Sequence, residues 1–409
     1  MRSNIAKTAS TARGELSFLW AHDHMGIISK IKEKYVSRQP LAGYKLGFCL
    51  HITKETAVLL MAAKDLGARI TACSANPLST QDDVAAFLSN QGISIYAWQG
   101  QNEKEFNECL RKVISSDPQI LTDDGAELHV RANSLRRKGI IGGTEETTTG
   151  ITRLRALQIK KGLIYPVVGV NDAPTKYLFD NRFGTGQSTL DGLMRATGIL
   201  VAGKRVVVCG YGWVGKGVAT RARGMGGIVT ITEIDPIKAL EACMDGYDVK
   251  RLADVADSGD IFITCTGQTN VIRKEHIVKM KPGVILANTG HFDVEIDVKY
   301  LYEQDTNPLP VRENVDAFYI QDRKIYLVCK GRVINLVSGE GHPPEVMSLS
   351  FANQIFSILF IAKYHDKLRN RLYKVPNHVN NTVARYCIEA MKIKLDSLTR
   401  IQKAYKNSV

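Results

Sequence analysis

The chain has 409 residues, 44% of them hydrophobic, and 54 Lys and Arg against 41 Asp and Glu give a formal net charge of +13. That length exceeds one hydrophobic core and implies at least two domains; the lack of a bilayer-length apolar run or a signal-peptide core argues against membrane and secreted classes. The basic residues are dispersed, densest at 136–138 and 367–374 with no nucleic-acid motif beside them, so the charge reads as a solvated surface and no nucleic-acid partner is expected. Eight cysteines without a C-x-x-C pair fit reduced thiols and a cytoplasmic location.

Residues 1–40 read as a loose arm and then a helix, with apolar positions at Leu16, Phe18, Leu19, Met25 and Ile28. From Tyr44 the pattern alternates: strand 45–50, helix 54–66, strand 69–73, helix 82–90, strand 94–98, helix 103–114 and a short strand 119–121. Alternation at this spacing predicts a parallel sheet covered on both faces, with ligands collecting at the carboxyl ends of its strands. Those ends carry His51, Thr53 and Glu55, then Asn76, Ser79 and Asp82, then Asp123 and Asp124.

A third block runs over 142–192. Glu145-Glu146-Thr147-Thr148-Thr149-Gly150 reads either as a hydroxyl-rich loop for ribose and nicotinamide groups or as a helix N-cap with acids at the positive end of the dipole. Pro174 suits a helix start, which puts Lys176 and Asp180 four apart on one face. Alone, such a pair is an ordinary surface ion pair. Beside a cofactor and flanked by Asn171 and Asn181, it reads as an amine whose pKa desolvation would lower toward a useful base.

The apolar run 206–209 ends in Gly210-Tyr211-Gly212-Trp213-Val214-Gly215. A helix-like segment follows, and a second apolar run ends in Glu233. This is a dinucleotide fingerprint in its required context, with the pyrophosphate on a helix N-terminus. Glu233 is placed to accept from an adenosine ribose hydroxyl and would repel a 2′-phosphate, which selects NAD. Strands are expected at 261–265 and 284–288, and long helices at 344–366 and 380–406. His291 follows a strand and His342 precedes two prolines. With His51 these histidines lack metal-ligand spacing in the chain, so no catalytic metal is assigned. The expected fold class is α/β, with two doubly wound (Rossmann-like) parallel-sheet domains. The NAD domain, 182–335, is inserted into a substrate domain, 1–181 and 336–376; a small C-terminal helical segment covers 377–409.

These blocks, in this order, resemble the S-adenosyl-L-homocysteine hydrolase family from about Leu16 to about Tyr405, in its short archaeal and thermophilic-bacterial branch. The resemblance implies a tightly bound, recycled NAD that oxidises the ribose 3′-hydroxyl of S-adenosyl-L-homocysteine to a ketone. Homocysteine then leaves by elimination, water adds and the ketone is reduced, so the net reaction is reversible hydrolysis to adenosine and L-homocysteine. It implies that Lys176, supported by Asp180 and Asn181, removes the 3′-hydroxyl proton and that Glu146 holds the ribose. Asp124, with His51 and His291, handles protons at C4′ and C5′, their acid and base roles left open. Thr53, Glu55 and His342 face the purine. The cofactor residues implied are Thr147, Thr148, Thr149, Asn181, Gly210, Gly212, Trp213, Val214, Gly215, Glu233, Thr266, Gly267, Asn288, Gly290, His291, Asn335 and His342. The resemblance also implies a homotetramer or homodimer.

Three departures stand out. Trp213 replaces the acid many members carry in the glycine loop, and its side chain is expected to point away from the phosphates. Asp123-Asp124-Gly125-Ala126-Glu127 replaces the commoner D-D-G-G-D. The chain also stops soon after Tyr405, before the longer members' tail. Alternative readings are an S-inosyl-L-homocysteine hydrolase, a non-catalytic NAD-binding regulatory relative, and an ordinary NAD-dependent 2-hydroxyacid dehydrogenase.

Overall fold

The computed structural model describes residues 3–406 and 408; residues 1, 2, 407 and 409, the tips of the expected arm and C-terminal segment, lie outside them. The apolar runs become strands because side chains on both faces are covered by helices. The first sheet contains β1 (Lys45–Cys49), β2 (Arg69–Cys73), β3 (Ser94–Tyr96), β4 (Ile120–Asp123), β5 (Gly142–Glu145) and β6 (Val167–Gly169). The second contains β7 (Arg205–Cys209), β8 (Ile228–Thr232), β9 (Asp248–Val249), β10 (Ile261–Thr264), β11 (Val284–Asn288), β12 (Leu309–Arg312), β13 (Val315–Ile320) and β14 (Arg323–Val328). The chain then returns to the first sheet, where β15 (Leu372–Lys374) pairs parallel with β6.

Strand order is β15-β6-β5-β4-β1-β2-β3 in the first sheet and β12-β13-β14-β11-β10-β7-β8-β9 in the second. In each, the winding reverses beside the first strand: between β1 and β4, and between β7 and β10. Such a switch point leaves a crevice at the carboxyl ends because the flanking connections run to opposite faces.

Several elements differ from the sequence expectation. β12, β13 and β14 pair antiparallel at the edge of the second sheet. Their tight turn uses Gln321 and Asp322, both at positive φ, without the Asn-Gly or Asp-Gly pair that signals such a turn. The N-terminal helix is two helices, Thr11–His24 and Gly26–Tyr35, which part at Met25. The last helix is likewise two, Asn377–Ala390 and Arg400–Lys406, with Lys392 at φ 56° just past the break. Contrary to the expectation of no bilayer-length run, Pro344–Tyr364 lies in the one helix among the described residues long and apolar enough to cross a membrane. It is a core helix: 67% of its most apolar window is buried, and Ser350, Asn353 and Gln354 on it are wholly buried.

The segment after β6 matters most for the site. Pro174–Lys176 makes one α turn, Tyr177–Gly184 widens to a π-helix, and Thr185–Thr197 resumes as α. The π stretch packs against the fingerprint helix Trp213–Gly224 through glycine. A Cβ on Gly217 would stand 1.9 Å from the Arg182 carbonyl oxygen, a clash that only backbone separation relieves. Gly217→Ala should therefore cost about 1–3 kcal/mol and lower the urea midpoint with little change in slope. An unchanged midpoint would contradict the close approach.

Candidate active site

The two crevices face each other and enclose one cavity of about 640 Å³. His51, Asp124 and Glu146 enter it just past β1, β4 and β5; Gly212, Thr266 and His291 enter just past β7, β10 and β11.

Lys176 sits at the junction, 4% exposed. Its Nζ lies 2.6 Å from Asp180 and 3.6 Å from Glu146, and it donates to Asn181 Oδ1 at 2.8 Å. The π-helix explains why both Asp180 and Asn181 reach it, since widening the turn brings residues five apart onto one face. Burial works to lower the Lys176 pKa, but Asp180, Glu146 and Asp124 outweigh it and hold the ammonium above its ordinary value. This corrects the expected downward shift: the carboxylates that gather around the amine come from three separate elements. Burial likewise opposes ionisation of Asp180, yet His342 and Lys176 hold it far below the usual carboxylate range. Glu146 is gripped from behind by Ser350 and Gln354. In sequence these two residues are a polar pair four apart on a largely apolar helix that also carries Ser348, Asn353 and Ser357.

Asp124 lies between two imidazoles, with Oδ2 3.6 Å from His51 Nε2 and Oδ1 3.4 Å from His291 Nδ1. Burial lowers His51 to about 3, with the charge of His342 adding, and lowers His291 to about 4 despite Asp124. Both rings are therefore neutral at physiological pH and can accept or relay a proton. His51 is oriented by Ser79 Oγ, 2.6 Å from its Nδ1. In sequence these three residues have no metal-ligand spacing, yet in space their ligating atoms fall within 4.8 Å of one another.

Thr53 caps helix Lys54–Asp65, and Glu55 in its first turn is 1% exposed with Oε1 3.3 Å from the Lys54 ammonium. Leu50, Met347 and Phe351 supply apolar wall nearby in the same cavity. Thr147 is the N-cap of Thr148–Lys161, as in the cap reading, so Thr148 and Thr149 are helical and not loop residues; all three threonines line the cavity. His342 has both ring nitrogens engaged: Nδ1 pairs with Asp180, and Nε2 is 2.9 Å from the Asn335 amide.

On the dinucleotide side, Gly210 has φ 104°, a conformation that favours glycine. A Cβ on Gly215 would lie 2.0 Å from the Gly210 carbonyl oxygen. The helix Trp213–Gly224 starts at Gly212 with no side-chain cap, so its first N–H groups are open to an anion. Thr266 and Gly267 are held by Glu295, which accepts from both amides and from the Thr266 hydroxyl. Val214, Gly290 and Asn335 complete this wall, and Asn335 Oδ1 is buried without a partner. The Trp213 ring stacks on Tyr177 at 5.3 Å with Lys216 Nζ 4.5 Å above it, and it borders the cavity. Uncapped amides, close glycine packing and an orphaned amide oxygen fit a bound dinucleotide.

Gly210, Gly215, Glu233 and Asn288 do not border the cavity. Gly210 and Gly215 shape the turn behind it. Glu233 accepts from the amides of Tyr211, Ile234 and Asp235. Asn288 is wholly buried and ties its own loop to Phe292 and Gly331. Lys216, Lys238 and Glu241, which the sequence reading left aside, do border it.

A second acidic pair stands behind the first. Successive strand residues point to opposite faces, so Asp124 and Glu146 enter the cavity while Asp123 and Glu145, paired in register across β4 and β5, turn away. Both are wholly buried beside His129. Burial pushes Asp123 up to about 7, with Glu127 adding to the rise, and raises Glu145 as well. Glu145 accepts from Gly125, Ala126 and Thr147, which fixes the loops that aim Asp124 and Glu146.

The family described as S-adenosyl-L-homocysteine hydrolase matches residues 3–138, and the NAD binding domain of that family matches residues 181–341. Among curated proteins, the adenosylhomocysteinase of Sulfolobus acidocaldarius is 49% identical over 396 residues, covering 96% of this chain and 95% of its own. That of Saccharolobus solfataricus is 46% identical, covering 99% and 98%. The S-inosyl-L-homocysteine hydrolase of Methanocaldococcus jannaschii is 48% identical, covering 96% and 95%.

The raised Asp123 carboxyl links stability to pH. Folded, it keeps its proton up to about pH 7; unfolded, it releases it near pH 4. Its contribution is complete below the unfolded pKa and is lost as pH rises through the folded one. Asp123→Asn removes that slope, so the stability of the variant relative to the unaltered protein should improve by about 1–3 kcal/mol between pH 5 and pH 8. Urea unfolding at both pH values measures it, and a difference independent of pH would contradict the assignment.

Proposed function

The chain belongs to the S-adenosyl-L-homocysteine hydrolase family, and from that premise we propose that it catalyses the reversible hydrolysis of S-adenosyl-L-homocysteine to adenosine and L-homocysteine with NAD as a bound, recycled cofactor. The observation that carries the reading is the buried Lys176 ammonium, 2.6 Å from Asp180, at the junction of a dinucleotide crevice and a second polar crevice.

In this reading Glu146 receives the ribose hydroxyls, and Lys176 takes the 3′-hydroxyl proton at the start of a turnover and returns it at the end. Lys176 must be deprotonated before it can act as the base, and Asp180, which pairs with it through one oxygen and with His342 through the other, fixes its position. NAD, when bound, supplies a hydride acceptor for the sugar carbon and later the hydride donor. Thr147, Thr148, Thr149, Asn181 and Asn335 orient its nicotinamide half, and the uncapped helix behind Gly212 receives its pyrophosphate. The C4′ proton and the exchange at C5′ fall to Asp124 with the neutral His51 and His291. Thr53 and Glu55 face the purine, and the Glu55 carboxylate favours adenine because it can accept from an exocyclic amine. Enclosure between the sheets keeps water from the ketone until the addition step.

The same proposal includes a division into 1–181 with 336–376, 182–335 and 377–409, supported by the return of β15 to the first sheet. It also includes a cytoplasmic homotetramer or homodimer. The exposed apolar row Ile234, Ile237, Leu240 and Met244 supports assembly, and the eight unpaired cysteines support a reducing compartment.

Purified protein should carry NAD and release free thiol from S-adenosyl-L-homocysteine with none added; dependence on continuously supplied NAD would overturn the reading. Lys176→Ala should keep its NAD yet lose roughly 10²–10⁴-fold in reduction of that cofactor by adenosine. A variant that reduces it at the normal rate would remove Lys176 as the base.

A further inference from the structure

The purine-facing acid has a neighbour that the reaction itself does not use. Lys54, the first residue of helix Lys54–Asp65, sends its ammonium to within 3.3 Å of Glu55 Oε1 and 3.1 Å of Glu340 Oε2. Its side chain is only 11% exposed, and it stays off the cavity wall, whereas Glu55 is on it. Glu340 lies in the segment that leads back from the second sheet to the first, and its other oxygen is 3.3 Å from Arg195, which in turn holds Asp191 at 2.9 Å. The charges alternate along this chain from Asp191 to Glu55. The outer members are half exposed and screened by solvent; the Lys54–Glu55 end is buried, where a charge is felt most.

Burial raises the Glu55 pKa above its ordinary value and Lys54 draws it back, so loss of the ammonium leaves burial less opposed and drives the carboxyl further toward its neutral form. Ionised, it only accepts hydrogen bonds; protonated, it can also donate. A 6-aminopurine presents a donor at its 6-position and a 6-oxopurine presents an acceptor. The state of Glu55 therefore decides which base it matches, and a mismatch leaves a buried polar group unpaired.

We propose that Lys54, acting through Glu55, sets the purine preference of this cavity: by pairing with both Glu55 and Glu340 it keeps Glu55 an obligate acceptor, which admits a 6-aminopurine and disfavours a 6-oxopurine. Lys54 is thus a positioning residue. The inference rests on the hydrolase reading above.

The test compares kcat/KM for S-adenosyl-L-homocysteine and S-inosyl-L-homocysteine in NAD-loaded unaltered protein, Lys54→Met and Lys54→Arg. General damage scales both substrates alike and cancels in the ratio. The unaltered protein should favour the adenosyl substrate. Lys54→Met should lower the adenosyl-to-inosyl ratio by roughly tenfold or more, and Lys54→Arg should restore it to within about threefold, since a buried unmatched hydrogen-bond group discriminates on at least that scale. If Lys54→Met does not fold, Lys54→Gln makes the same comparison. A ratio unmoved by loss of the ammonium, or an unaltered protein that favours the inosyl substrate, overturns the proposal. Release of thiol from neither substrate by the unaltered protein overturns the hydrolase reading itself.

Discussion

One buried ammonium organises the centre of this molecule. Lys176 is out of water, a position costing several kcal/mol for an unpaired charge, and it is held there by Asp180, Glu146 and Asp124. These come from a π-helix, the end of β5 and the end of β4, so the pairing constrains three elements at once. Glu146 is itself gripped by Ser350 and Gln354, on a helix that the chain reaches only after completing the second sheet. The amine therefore reports whether distant parts of the chain have met correctly.

The topology then gives the amine its chemistry. Each sheet reverses its winding between two central strands, and each reversal opens a crevice at the carboxyl ends. Facing the crevices toward each other produces a single enclosure with a dinucleotide wall on one side and acids and imidazoles on the other. A hydride can be moved to one wall and later moved back only if the sugar stays between the two throughout, and the shared cavity provides for that. The pleat of β4 and β5 adds a second layer: Asp124 and Glu146 face the enclosure while Asp123 and Glu145 behind them fix the loops that aim them.

Much of this was legible in the chain, for local reasons. The dinucleotide turn shows in sequence because Gly210 and Gly215 each answer a backbone demand of their own. Lys176 and Asp180 show because helical spacing pairs them. Other features depend on what converges from afar. Asn181 reaches Lys176 only because the turn widens to a π-helix. The amine's pKa rises where desolvation alone would lower it, because acids from three separate elements close around it. Glu233 ends its strand as read, but its carboxylate is taken up by amides of its own and the neighbouring turn. The β13–β14 turn lacked its usual residue pair, and Pro344–Tyr364 looked merely apolar until packing showed that its buried polar residues serve the site.

What sets this reaction apart is a bound coenzyme that takes a hydride from the sugar and gives it back within a turnover. Rapid mixing of the NAD-loaded protein with adenosine, followed by the near-ultraviolet absorbance of reduced nicotinamide, tests it most directly. A rise of no more than one equivalent per site is expected, falling back when homocysteine is added and S-adenosyl-L-homocysteine forms. Product formation with no change in that absorbance, or reduced cofactor accumulating with every turnover, would contradict it.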